Sequence, residues 1–248
     1  YKGNYGFAVF IGAISGLAIA HVRLGQVLER ESKSEAARKK YEQAVALDPN
    51  EPRVLVALAS LSGKQGYMDE AIDLLKRAEF IDPLSSTYPG GIGHFQILAG
   101  RLDEAEKETK KAIDLSPKVF PWQFNLAIIH FLRGQYQNAL EIVLPLEEIQ
   151  HKEFALTVIY QELGMMDESD AAMTRLAAFK NIGVPLLLAD AYAYRGETDK
   201  AFEWLNKTLA SYSQVKYSPF LKNLHEDPRW NEVLERLQRD ATRGELSD

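Results

Sequence analysis

Gly66–Pro83 reads GYMDEAIDLLKRAEFIDP, and 34 residues later Gly100–Pro117 reads GRLDEAEKETKKAIDLSP. Each stretch opens on a glycine, which takes the left-handed conformation that closes a helix, and ends on a proline, whose ring forbids further helix. Met68-Asp69-Glu70-Ala71 and Leu102-Asp103-Glu104-Ala105 put carboxylates at a helix start, where unpaired amides favour them. The alanine that follows is small enough to let a second helix approach. Each stretch therefore reads as the second helix of a helical hairpin, with the first helix ending at the glycine.

The step of 34 extends in both directions. Ala37, Ala71, Ala105 and Ala139 form one series, Ala44, Ala78, Ala112 and then Leu146 a second, and Pro49, Pro83 and Pro117 a third. Gly66, Gly100 and Gly134 keep the same step, and Gly164 and Gly196 follow at 30 and 32. Hairpins repeated at a fixed period bury their apolar faces on one another. The expected fold is all-α: a right-handed α-solenoid of about six hairpins. It forms one domain over residues 1–240, with repeats at about 8–51, 52–85, 86–119, 120–149, 150–181 and 182–215. A capping segment at 216–240 and a flexible tail at 241–248 complete it.

The pattern resembles the tetratricopeptide repeat. The residues that carry the likeness are Leu55, Leu58-Ala59, Gly66, Ala71, Leu75, Ala78 and Pro83 in the second unit. Ile92-Gly93, Gly100, Ala105, Ala112 and Pro117 carry it in the third, and Leu126-Ala127, Gly134, Ala139 and Val143 in the fourth. Leu156-Thr157, Tyr160 and Gly164, then Leu188-Ala189, Tyr192 and Gly196, continue it. Ser62, Gln96 and Thr109 depart from the usual bulky choices. At the start, Ile14, Leu17-Ala18, His21 and Gly25 make a first helix, but Gly25 to Gly66 is 41 residues. Residues 26–33 are thus an insertion that extends one or both helices by about two turns in all. The C-terminal stretches Asp190–Glu197, Ala201–Leu205, Phe220-Leu221 and Asp227-Pro228-Arg229-Trp230 resemble the closing part of bacterial modules of this family. Those modules follow a cyclase, winged-helix regulator or protein kinase domain, which implies a sensory or scaffolding part of a larger bacterial protein.

With 46% hydrophobic residues and 26% charged, the chain of 248 residues is an ordinary folded one. Its net charge of -6 argues against nucleic acid, which needs a basic face. Without cysteine it has no disulfide framework, thiolate metal site or thiol nucleophile. It begins at Tyr1, which points to a processed chain or a piece of a longer protein. Phe7–Val22 carries no charge, but the run is short for a membrane span and matches a repeat helix. A cytoplasmic location is expected, the alternative being periplasmic or membrane-attached through an N-terminal region.

His21, His94, His130, His151 and His225 are scattered, with no pair at metal-ligand spacing. Gly90-Gly91-Ile92-Gly93 lacks the strand before it and the Lys-Ser/Thr after it that a phosphate loop needs, and reads as a helix start with close helix contact. No enzyme activity, cofactor or metal is expected.

What the family resemblance implies is a concave groove lined by the first helices. Its positions fall here on Arg53, Val56, Ser60 and Lys64, on Thr87, His94 and Ile97, and on Phe124, Asn125, Ile128 and Phe131. Phe154, Val158, Gln161 and Glu162 follow, then Leu186, Asp190 and Tyr194. Only Asn125 resembles a residue of the family's carboxylate-clamping members. Phe124, Phe131 and Phe154 read as an aromatic anchor flanked by Gln161 and Asp190, suited to a partner's helix or extended peptide. The same rings could instead pack on a neighbouring helix or on the chain's own C-terminal segment. The expected function is a protein-protein interaction module; the alternative is a structural solenoid that associates with itself.

Overall fold

The computed structural model describes residues 2–147 and 150–242. Among these every regular element is helical. Six antiparallel hairpins follow one another. They are α1 (Lys2–Arg30) with α2 (Ser34–Leu47), α3 (Pro52–Gln65) with α4 (Met68–Ile81), and α5 (Thr87–Leu98) with α6 (Leu102–Leu115). Then come α7 (Phe120–Leu132) with α8 (Tyr136–Val143), α9 (Gln150–Glu162) with α10 (Met166–Ala178), and α11 (Val184–Tyr194) with α12 (Thr198–Leu205). A five-residue helix α13 (Tyr212–Lys216), a single 3₁₀ turn at Lys222–Leu224 and α14 (Arg229–Thr242) close the chain. Ala241 and Thr242 belong to that last helix, and the remaining tail, 243–248, lies outside the described residues.

The glycines sit where the period puts them. Gly66, Gly100, Gly134, Gly164 and Gly196 all have φ between 73° and 92°, the left-handed region that ends a helix without a Cβ penalty. Gly25 does not. It lies inside α1, which runs on to Arg30 before Ser32 turns the chain at φ 59°. The seven extra residues therefore lengthen only the first helix, since α2 keeps the 14 residues of α4 and α6. What Gly25 provides is room: a Cβ there would lie 2.4 Å from the Tyr41 ring, whose hydroxyl donates to Glu29.

Small residues set the helix spacing inside each hairpin. Ala37, Ala71, Ala105, Ala139, Ala172 and Ala201 are fully buried. Gly93 brings α5 close to α6, its missing Cβ leaving space for Thr109 and the Ala105 carbonyl. Ser62, Gln96 and Thr109, the departures from the bulky pattern, are buried too. Gln96 Oε1 and Thr109 Oγ1 find no hydrogen-bond partner among the described residues, a local cost for polar side chains at packing positions.

Between hairpins runs a ladder of ion pairs. Arg38 forks onto Glu70 at 2.6 and 2.7 Å, Arg101 reaches Asp69 at 2.6 Å, and Arg133 reaches Asp103 and Glu106. Arg195 with Asp170 and Arg229 with Asp199 repeat the arrangement further on. Asp69, Glu70, Asp103 and Asp199 lie in the first turns of second helices, so carboxylates that favour helix initiation also tie units together, while Glu106 and Asp170 lie just beyond the first turn. Because most of these side chains are part-exposed, each pair contributes at most about 1 kcal/mol. The first turn of α8 has no acid, and there the ladder is interrupted.

Three apolar clusters fill the interior, one from Ala18 to Ile92, one from Ile97 to Ala191 joined by Phe220, and one from Ala189 to Leu237. The third includes Trp230, Val233 and Leu237 of α14, which lie over Phe202 and Leu205. This last helix covers the apolar end that a stack of hairpins otherwise leaves open. Asp227 starts it: Arg229 hydrogen-bonds its carboxylate and holds the pKa down at about 2.

Candidate functional site

First helices line the inner face of such a stack, and the groove positions fall on α3, α5, α7, α9 and α11. At the near end Arg53 and Lys64 are exposed but engaged, Arg53 with the helix-capping Glu51 and Lys64 with Glu29, each at 2.7 Å. Asn125 is buried and donates to the Gly90 carbonyl. None of the three stands ready to clamp a terminal carboxylate. His94 on α5 is open to solvent yet ringed by protein, and that desolvation holds its imidazole below the usual pKa. Phe124 is half-buried in a cluster with Phe120 and His151, ring centroids 5.3–5.9 Å apart.

Further along, the face is filled by the chain itself. After α12 the backbone turns back and lays residues 211–221 across the first helices. The Phe220 ring stands edge-on to Phe154 at 4.9 Å and also contacts Phe131 at 5.7 Å and Tyr194 at 6.0 Å. Phe131 and Phe154 are consequently only 3% and 2% exposed, and Val158 and Ile128 are buried with them. The expected anchor of Phe124, Phe131 and Phe154 is not one cluster: Phe124 packs with Phe120 and His151, while Phe131 and Phe154 are covered by Phe220 of the chain's own C-terminal segment, the alternative raised by the sequence. Tyr194 donates its hydroxyl to Glu162 at 2.7 Å, and desolvation together with that carboxylate raises its pKa. Gln161 is half-buried, with Oε1 unpartnered among the described residues.

Asp190 is the most perturbed acid of the face. The residue is 6% exposed, and its carboxylate accepts one hydrogen bond, from Ser218 Oγ at 2.7 Å. Burial pushes its pKa up to about 7, against the smaller opposing pull of the serine. The residue before that serine, Tyr217, lies over Gly66 at the end of α3, leaving no space for a Cβ there without contact at 3.1 Å. Two consecutive residues thus touch the second and the sixth hairpins, and Asn223 adds a hydrogen bond to the Ala193 carbonyl. Between the two ends of the solenoid remains a cavity of about 1010 Å³, with Glu29, Lys64 and Gln65 on one side and Ser211, Tyr212 and Arg236 on the other.

Sequence reasoning placed Asp190, Tyr194, Phe131 and Phe154 on one face, and the structure brings them together. It raised the C-terminal segment as an alternative cover but did not name Ser218 and Phe220, which contact these residues, because nothing in the period says where the chain goes after the last hairpin. Among the described residues no group of three His, Cys, Asp or Glu side chains could hold a metal ion. No helix of the described residues is long and apolar enough to cross a membrane.

Residues 22–86 match the family model of the tetratricopeptide repeat. Over 200 residues the chain is 24% identical to the cellulose synthase operon protein C of Pseudomonas fluorescens (strain SBW25), covering 74% of this chain but 15% of that protein. A tetratricopeptide repeat protein from Parabacteroides merdae superposes with a TM-score of 0.65 at 16% identity, over 90% of this chain and 84% of that one. A thermophilic repeat protein of Thermus thermophilus superposes with a TM-score of 0.60 at 22% identity, over 70% of this chain and 98% of that one. Stacked hairpins of this kind act as interaction or scaffold modules through their extended concave surfaces. Residues 22–86 thus match tetratricopeptide repeats, and the described stack as a whole has the fold of solved tetratricopeptide-repeat proteins.

Proposed function

We propose that the protein is an interaction module that takes a peptide segment of a protein partner along its concave face, as the sensory or scaffolding part of a larger protein. One observation carries this reading: a turn of the chain itself already lies on that face, with a ring in the aromatic cluster and a hydroxyl on a buried carboxylate. A surface that holds residues 217–220 in this way has the chemistry to hold another peptide. The accessible part of the same face, at His94 and Phe124, is where contact would begin. A photo-crosslinking amino acid at His94 tests this against one at Glu141, exposed on the second helix α8. A protein adduct formed at position 94 and absent at 141 is the expected result. Equal labelling at both positions, or none at 94, would refute it.

A second reading, self-association, has its own support. Ala13, Leu17, Ala20, Leu24 and Val27 follow one another at steps of four and three along the outer face of α1, the spacing of a coiled-coil seam. Leu17, Leu24 and Val27 are 51%, 44% and 45% exposed. If this row pairs two copies, Leu24→Asp converts a dimer to a monomer in sedimentation velocity. A monomeric unmodified chain at tens of micromolar would dismiss the reading.

A further inference from the structure

Closing the solenoid does not require residues 217–220 to sit where they do. The open end of the stack is covered by Trp230, Val233 and Leu237 of α14 together with Val215, Leu221 and Leu224, which anchor the chain on either side of residues 217–220. Tyr217, Ser218 and Phe220 lie elsewhere, on the concave face, and their contacts are those of a bound peptide. A ring enters a box of Phe131, Phe154 and Tyr194. A hydroxyl two residues earlier donates to Asp190, whose carboxylate has no other hydrogen-bond partner among the described residues. Pro219 between them fixes the backbone of the spacer. The loop before α13 is partly open: Asn206, Lys207 and Leu209 are exposed, Leu209 at 76%, while Thr208 is buried.

We propose that the concave face recognises partner segments with the pattern hydroxyl residue, proline, aromatic residue, and that Ser218-Pro219-Phe220 occupies the site in the free protein until such a segment displaces it. The inference rests on the interaction reading above and names its ligand. Discrimination comes from both ends of the pattern. A segment without the hydroxyl leaves Asp190 buried with no donor, which costs binding energy because the carboxylate has given up water. A segment with a phosphorylated hydroxyl would bury a doubly charged group and its bulk against the buried Asp190 carboxyl and is rejected. A segment with a small residue in place of the ring leaves the aromatic box unfilled.

The test uses the full chain carrying Phe220→Ala, which loosens the resident segment, and a fluorescein-labelled synthetic peptide of residues 212–224 as probe. Fluorescence anisotropy is expected to show the peptide binding this variant at least tenfold more tightly than the unmodified chain. The same peptide phosphorylated at Ser218, or carrying Phe220→Ala, is expected to bind at least tenfold more weakly than the parent peptide. A variant that circular dichroism shows to be folded and that ignores the peptide, or that takes all three peptides alike, overturns the proposal. Should Phe220→Ala prevent folding, a protease site inserted after Lys207 and cut in the folded protein gives a second measurement. Exchange of the cut C-terminal fragment for a labelled copy supports displacement, and absence of exchange over a day refutes it. Adducts at position 94 with no binding of the peptide would sink the pattern alone and leave the interaction reading intact.

Discussion

Replacing Asp190 by Asn separates its charge from its shape. The native protein keeps a proton on this carboxyl up to about pH 7, whereas the unfolded chain releases it near the ordinary value of 3.8. Between those values the unfolded state binds fewer protons, so stability falls as pH rises. At about 1.4 kcal/mol per pH unit the full loss is about 4 kcal/mol, complete by pH 7 and absent below pH 4. Asn has the same outline and can still accept from Ser218, but it does not titrate. Urea unfolding of both proteins from pH 4 to 8.5 is expected to give curves within about 1 kcal/mol of each other at the acid end. Above pH 7.5 Asp190→Asn is expected to be more stable by about 3–4 kcal/mol. The other carboxylates, such as Glu106 held at about 2 by Lys110 and Arg133, titrate in both proteins and cancel in the difference. A difference that stays constant with pH would mean that Asp190 is not a buried acid poised near neutrality.

Two further substitutions examine the packing. Gly93→Ala places a Cβ 2.5 Å from Thr109 Oγ1 and 3.2 Å from the Ala105 carbonyl, so α5 and α6 must separate. The expected cost is about 1–3 kcal/mol in urea unfolding, and a neutral result would show that the helices are not in contact there. Arg133→Ala removes its pairs with the 95% exposed Asp103 and with Glu106, which keeps Lys110, and is expected to lower stability by about 1 kcal/mol. A loss above about 3 kcal/mol would mean that the ladder, and not apolar burial, holds the units together.

The hairpins were legible because periodic glycine and alanine have a mechanical cause that repeats with them. A left-handed turn needs glycine at 66, 100, 134, 164 and 196, and a close helix crossing needs a small residue a few positions on. Gly25 shows the limit of that reasoning. A glycine can serve a neighbouring ring as well as a turn, and only the position of Tyr41 decides which. The candidate site was half legible for a similar reason. Spacing says that Phe131, Phe154 and Asp190 share a face, but not whether water, a partner or Phe220 lies over them, since that depends on a return of the chain with no repeat to announce it. The resemblance puts Lys64 and Arg53 in the groove, but their partners Glu29 and Glu51 come from a helix overrun and a cap outside the repeat pattern.

A stack of repeats is ordinarily a row, in which each unit feels only its neighbours and the ends come loose before the middle. Tyr217 and Ser218 change that connectivity. Their Cα atoms are about 3.8 Å apart, yet one residue rests on the second unit and the other on the sixth. The row is thereby tied into a loop, and opening the far end also uncovers Gly66 near the beginning. Amide hydrogens at the end of α3 and in α11 are then expected to exchange with solvent at matched rates, where an untied row would show protection graded inward from both termini.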